Sequence, residues 1–181
     1  MRAPRGTLLF VALALLAGAS TRIASGLEYD RAAMLRGELW RPLTGQLVHW
    51  SWFMALADLG VIAAAGAFVE RRAPRRAWLG MCAALLAVAA VVALSPGLLR
   101  YRGSSGVATA MVALALTDAA LPVAVTVAGL LLLLAKTAVE IATGQPVLPG
   151  TLPEGVALTT TAHVAGLLAG MAVGLPARLR A

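Results

Sequence analysis

The sequence holds one cysteine, Cys82, so it has no internal disulfide and no thiolate framework for a metal. Its two histidines, His49 and His163, with no cysteine cluster beside them, are too few for a zinc site. The H-E-x-x-H motif of a membrane metalloprotease is also missing. No metal and no cofactor are therefore expected. Charge is scarce as well: 13% of residues are charged, against about a quarter in an ordinary soluble domain. A soluble fold could not cover its apolar surface with so little polar material, so the solvent around most of the chain must be lipid.

What is present fits that solvent. Hydrophobic residues make up 60% of the 181, and the mean hydropathy is +0.86. Apolar runs cover residues 6–23, 47–69, 77–94, 104–116, 121–142 and 156–175. Six spans of about 20 residues use roughly 120 residues, which leaves short loops and no room for a separate soluble domain. The expectation is an all-α, polytopic membrane protein, a single domain over residues 1–181. The first run is open to two readings. Ala17-Gly18-Ala19 resembles a signal-peptide cleavage site, but the later helices need an embedded partner, which favours a retained span. Residues 24–44 read as a loop with a short helix near Arg31 to Arg36. The 104–116 run is short for a span and must be sheltered by its neighbours or line a watery cavity.

The net charge of +7 comes from fourteen Arg and one Lys against eight acids. In a soluble protein this would suggest nucleic acid. Here the arginines sit in short loops, where they signal topology, and no nucleic-acid partner is expected. Alternating sides puts Arg2, Arg5, Arg71, Arg72, Arg75, Arg76, Arg178 and Arg180 together, and the positive-inside rule makes that side, with both termini, cytoplasmic. Ser105 and His163 then fall at similar depth near the outer face.

Polar groups within spans are costly, so each one is informative. Gly103-Ser104-Ser105-Gly106 opens a helix after a loop. First-turn N–H groups lack partners and can stabilise an oxyanion beside a serine. Ala162, Gly166, Gly170 and Gly174 recur every four residues, a stripe that allows close helix contact. Gly106, Ala110 and Ala113 offer a matching surface. If the two helices touch, His163 can act as general base to Ser105. Asp58 lies about two and a half turns below His49 on the second run, and so at a different depth. Lys136 and Glu140 are spaced i,i+4 near the outer end of the fifth run and read as a structural ion pair.

Together these pieces resemble the rhomboid intramembrane serine proteases, from Trp40 to Gly174. Trp40-Arg41 resembles the family's W-R pair, and Gly66 with Glu70 its G-x-x-x-E. Gly103-Ser104-Ser105-Gly106 resembles the G-x-S-G nucleophile motif. Ala162-His163-x-x-Gly166-x-x-x-Gly170 resembles the sixth-helix motif. The resemblance implies a six-helix bundle in the lipid bilayer and a Ser105–His163 dyad with no acid. It also implies membrane-anchored protein substrates and, in a bacterium, an inner-membrane location. The short length resembles the rhombosortase branch, thought to trim C-terminal Gly-Gly sorting tails. Two positions depart from the pattern. The H-x-x-x-N that supplies oxyanion donors is here Met54 and Asp58, and an aromatic or His is replaced by Thr109. The oxyanion would then rely on the N–H groups of Ser104 and Ser105, with His49 or a protonated Asp58 in support. A binding protein without activity and a small channel are the competing readings. No inverted repeat supports the channel.

Overall fold

A computed structural model describes residues 3–145, 147 and 159–180. The described chain is mostly helical: α1 (Arg5–Gly18), α2 (Thr21–Leu27), α3 (Arg31–Leu35), α4 (Arg41–Thr44), α5 (Trp52–Arg72), α6 (Pro74–Leu94), α7 (Ser105–Leu116), α8 (Val123–Thr143) and α9 (Thr160–Leu179). Among the described residues, one pairing of extended backbone joins β1 (Tyr29–Asp30) to β2 (Arg100–Tyr101), antiparallel, with Tyr29 opposite Tyr101.

Among the described residues, four helices, α5, α6, α8 and α9, are long and apolar enough to cross a membrane. The protein is thus multi-pass. The first run is not one straight span: α1 stops at Gly18, and α2 leaves it at 115°. Counted as one broken element, the pair makes a fifth candidate, and α7, with 12 residues, is apolar but short. At 1.5 Å per residue α7 rises only about 18 Å, well under the hydrocarbon thickness. It is tolerated because it is the central helix. Gly106 to Met111, Ala113 and Leu114 are all buried, and α5, α6 and α9 enclose it. By contrast, α8 exposes Val123, Leu131, Leu132, Val139 and Ile141, as a helix bathed in lipid would.

Local chemistry sets the remaining boundaries. The second run begins its helix at Trp52, later than residue 47, because Ser51 is extended and its Oγ caps the N–H of Met54 at 3.2 Å. Proline at the first position of α6 and the basic end of α5 separate those two helices at Ala73. α8 ends on Gly144 in the left-handed conformation. α9 is seen from Thr160 and continues through Pro176 to Leu179, beyond the expected end at residue 175. The expected start at residue 156 lies outside the described residues.

Charges tie the two ends of the bundle. At one end the buried Glu70 accepts from the N–H of Gly6 and of Thr7 and from Thr7 Oγ1, each at 2.8 Å, so it caps α1. At the same end Arg76 meets Asp118 at 2.5 Å, and Arg178 donates to the Asp118 and Leu121 carbonyls. At the other end the buried Glu28 pairs with Arg100 and with Arg102, the latter at 2.6 Å. Arg102 also lies over the Trp50 ring, 4.6 Å from its centroid.

The small-residue stripe is the tightest contact in the fold. A Cβ on Gly166 would strike the Gly106 carbonyl, and one on Gly170 would meet the Ala110 backbone. A Cβ on Gly106 would lie 2.7 Å from both Ala162 O and Val88 Cγ2. On Gly174 it would meet the Thr117 side chain. Backbone cannot yield as a side chain can, so Gly166→Ala is expected to destabilise by at least the usual overpacking cost of about 1–3 kcal/mol. Gly60→Ala, with nothing within 4 Å, should be neutral or stabilising. Thermal unfolding of both variants in detergent checks this. Equal midpoints would contradict the contact.

Candidate active site

The site is built where the first turn of α7 meets the first turn of α9. Gly103 precedes it with φ of +141°, a region that a residue with a Cβ rarely adopts. Its N–H donates to Gly45 O at 3.1 Å, and its carbonyl accepts from the Tyr101 hydroxyl at 2.8 Å. The loop that leads into Ser105 is therefore held by the β1–β2 region and by the segment before α5. Burial first, then the Asp58 charge, keeps the Tyr101 phenol well above the ordinary phenol range. It stays a neutral donor.

The close approach of α7 and α9 puts Ser105 Oγ 2.9 Å from His163 Nε2. Ser105 is partly exposed and His163 is buried. The N–H groups of Ser105, Gly106 and Val107 have no helical carbonyl to reach, since Ala108 makes the first intrahelical bond, to Ser104 O. Thr109 turns away, and its hydroxyl donates to Ser105 O at 2.8 Å. A serine hydroxyl on a neutral imidazole, beside unpaired first-turn donors, can in chemical terms transfer its proton and attack a carbonyl.

Three expectations change once the helices are assembled. His49 and Asp58 do not sit at different depths: His49 Nε2 lies 3.3 Å from Asp58 Oδ2. The reason is that His49 precedes α5 in a non-helical stretch, so the helical rise assumed between the two does not apply. The second change concerns Ser104, which is fully buried. Its Oγ is 3.0 Å from His49 Nε2, and its N–H donates to the same nitrogen at 3.3 Å. One imidazole nitrogen offers one lone pair or one proton, so these contacts and the Asp58 contact compete. The Ser104 N–H, expected at the oxyanion, is thus occupied by His49.

The third change is Glu140. Its pair with Lys136 forms as expected, with Nζ 2.7 and 2.8 Å from the two oxygens. The carboxylate does more than that. Its Oε2 lies 2.7 Å from His163 Nδ1, and its Oε1 accepts from the Val147 N–H at 3.3 Å. Sequence reasoning missed the link to His163. The available signal was depth: Glu140 lies one turn from the end of α8, and His163 lies in the first turn of α9.

Gly103→Ala is expected to lower the thermal midpoint through backbone strain of about 1–3 kcal/mol, although the nearest atom to the added Cβ, Asp58 Oδ2, is 4.0 Å away. Gly97→Ala, with open space and no positive φ, is the control. Equal midpoints would show that the loop relaxes.

Among curated proteins, none matches the chain. The family model for the Rhomboid domain matches residues 36–180, which contain every residue of the site just described. The chain therefore belongs to the rhomboid family, whose members are generally serine proteases acting within the membrane.

Proposed function

We propose that the protein is an intramembrane serine endopeptidase that cleaves membrane-anchored proteins near the outer face of a bacterial inner membrane. Ser105 is the nucleophile and His163 the general base. The observation that carries this reading is the 2.9 Å contact between Ser105 Oγ and His163 Nε2 at the N-terminus of α7. Ser105 Oγ attacks the scissile carbonyl carbon, and His163 Nε2 takes the hydroxyl proton. The same proton then passes to the leaving amine as the C–N bond breaks. Water hydrolyses the acyl-enzyme by the reverse use of His163. The developing oxyanion is met by the Ser105 N–H and its first-turn neighbours. Gly103 and Gly106 let the carbonyl approach.

The arginine distribution supports cytoplasmic termini, with α1 retained and α7 counted among six crossings. The packing of Glu70 on Gly6 and Thr7 supports retention of α1. The narrower reading, carried over from the resemblance to the rhombosortase branch, is that the substrate carries a C-terminal Gly-Gly tail.

One observation favours a second reading, a pseudoprotease that binds transmembrane segments without cutting them. Met54 cannot donate to an oxyanion, and Asp58 donates only when protonated. Losing one such donor costs about 10²–10³ in rate, which slows chemistry without ending it. The intact Ser105–His163 contact favours the active enzyme.

Both readings are tested by co-expressing a membrane-anchored substrate with a Gly-Gly tail and by labelling with a fluorophosphonate. The wild type should cleave the substrate and label at Ser105, and Ser105→Ala and His163→Ala should each abolish cleavage. Cleavage that persists in either variant would sink the mechanism. A wild type that neither labels nor cleaves would establish the pseudoprotease.

A further inference from the structure

We infer that Glu140 is a positioning residue of the active site, holding His163 in the tautomer that accepts the Ser105 proton and stabilising the imidazolium that forms. The inference rests on the reading of Ser105 and His163 as nucleophile and base. It goes beyond the two-residue machinery implied by the resemblance.

Four contacts carry it. His163 Nδ1 is 2.7 Å from Glu140 Oε2, and both side chains are buried. Lys136 Nζ touches both Glu140 oxygens, and the Val147 N–H reaches Oε1. His163 Nε2 faces Ser105 Oγ at 2.9 Å. Among the described residues, every group on the carboxylate apart from the imidazole is a donor. With an ammonium across both oxygens, Glu140 is a carboxylate, and a carboxylate only accepts. The proton between Glu140 and His163 therefore belongs to Nδ1. A neutral imidazole carries one N–H, so Nε2 presents its lone pair to the Ser105 hydroxyl. That is the tautomer a general base requires.

The same contact acts during the reaction. When Ser105 Oγ bonds to an electrophile, its proton moves to Nε2 and His163 becomes a cation. Glu140 stays ionised and takes no proton. Its charge, 2.7 Å from Nδ1, offsets the new positive charge in a site where burial weakens solvent screening. Lys136 holds the carboxylate in place from the helical turn before it and partly neutralises it. The charge on His163 is therefore shared and weaker than that of an unpaired acid.

The alternative is that Glu140 exists only to neutralise Lys136 within α8. The two roles separate in a double variant. The probe is a fluorophosphonate, which phosphonylates Ser105: an O–P bond forms, the P–F bond breaks, fluoride leaves, and the serine proton goes to His163. The full-length protein in detergent gives the maximal inactivation rate and the half-saturating probe concentration separately. Loss of the corresponding charge in soluble Ser-His-Asp enzymes costs about 10⁴ in kcat, and a charge shared with Lys136 should be worth less, about 10²-fold. Glu140→Gln is expected to lower the maximal rate by that factor with half-saturation unchanged. Lys136→Met/Glu140→Gln removes the buried ion pair as a unit, and it should remain as slow while keeping the wild-type thermal midpoint. A wild-type maximal rate in either variant overturns the inference, as does a change confined to half-saturation. If Glu140→Gln fails to fold, the double variant alone decides by the same criteria. If the wild type does not label, or Ser105→Ala still does, the protease reading itself has failed, an outcome distinct from a labelling wild type indifferent to Glu140.

Discussion

The backbone contact between α7 and α9 is the constraint on which the site depends. Helices in lipid gain nothing from hiding apolar side chains from one another, so they associate by close packing and polar contacts. Here Gly166 and Gly170 place α9 directly against the Gly106 and Ala110 backbone. Only at that separation does a histidine in the first turn of α9 meet a serine in the first turn of α7. The 2.9 Å Ser105–His163 contact is thus a product of missing side chains four residues apart. The same packing explains how α7, too short to cross alone, sits at the centre of the bundle with eight of its 12 residues buried.

Around this contact the protein spends its few charges on holding loops still. Glu28 gathers Arg100 and Arg102 beneath the segment that leads into Gly103. The Tyr29–Tyr101 pairing and the Gly45–Gly103 bond fasten that segment to the loop before α5. At the far end Glu70 and Asp118 do the same for α1, α6 and α9. Each of these acids is buried with its donors in reach, which is how an ionised group is tolerated away from water. Rigid ends and a close-packed centre are what a preorganised catalytic contact requires.

The polar groups near Ser105 form two sets. Ser104, His49 and Asp58 cluster through one imidazole nitrogen. His163, Glu140 and Lys136 form a chain running away from Ser105 Oγ. The second set has a defined direction, from ammonium to carboxylate to imidazole to hydroxyl, with each donor matched to an acceptor. The first set has three contacts competing for one atom. The two sets differ in what they can do: under the proposed mechanism the chain would orient His163 as a base, while the cluster around His49 has no such direction.

What the sequence determined alone follows from properties that act along the chain. Apolar run length set the membrane class and located α5, α6, α8 and α9 within a few residues. The four-residue repeat of small residues in α9 announced a close helix contact. Gly103-Ser104-Ser105-Gly106 and His163 stood out because polar groups in lipid are costly. Relations between helices were not legible in the same way. His49 and Asp58 were separated by a helical rise that the chain does not have, because it becomes helical only at Trp52. Glu140 and Lys136 satisfied each other locally at i,i+4, and that pairing hid the imidazole across the interface. A side chain's neighbours on its own helix follow from periodicity. Its neighbours on another helix depend on rotation and depth, which only the packed bundle decides.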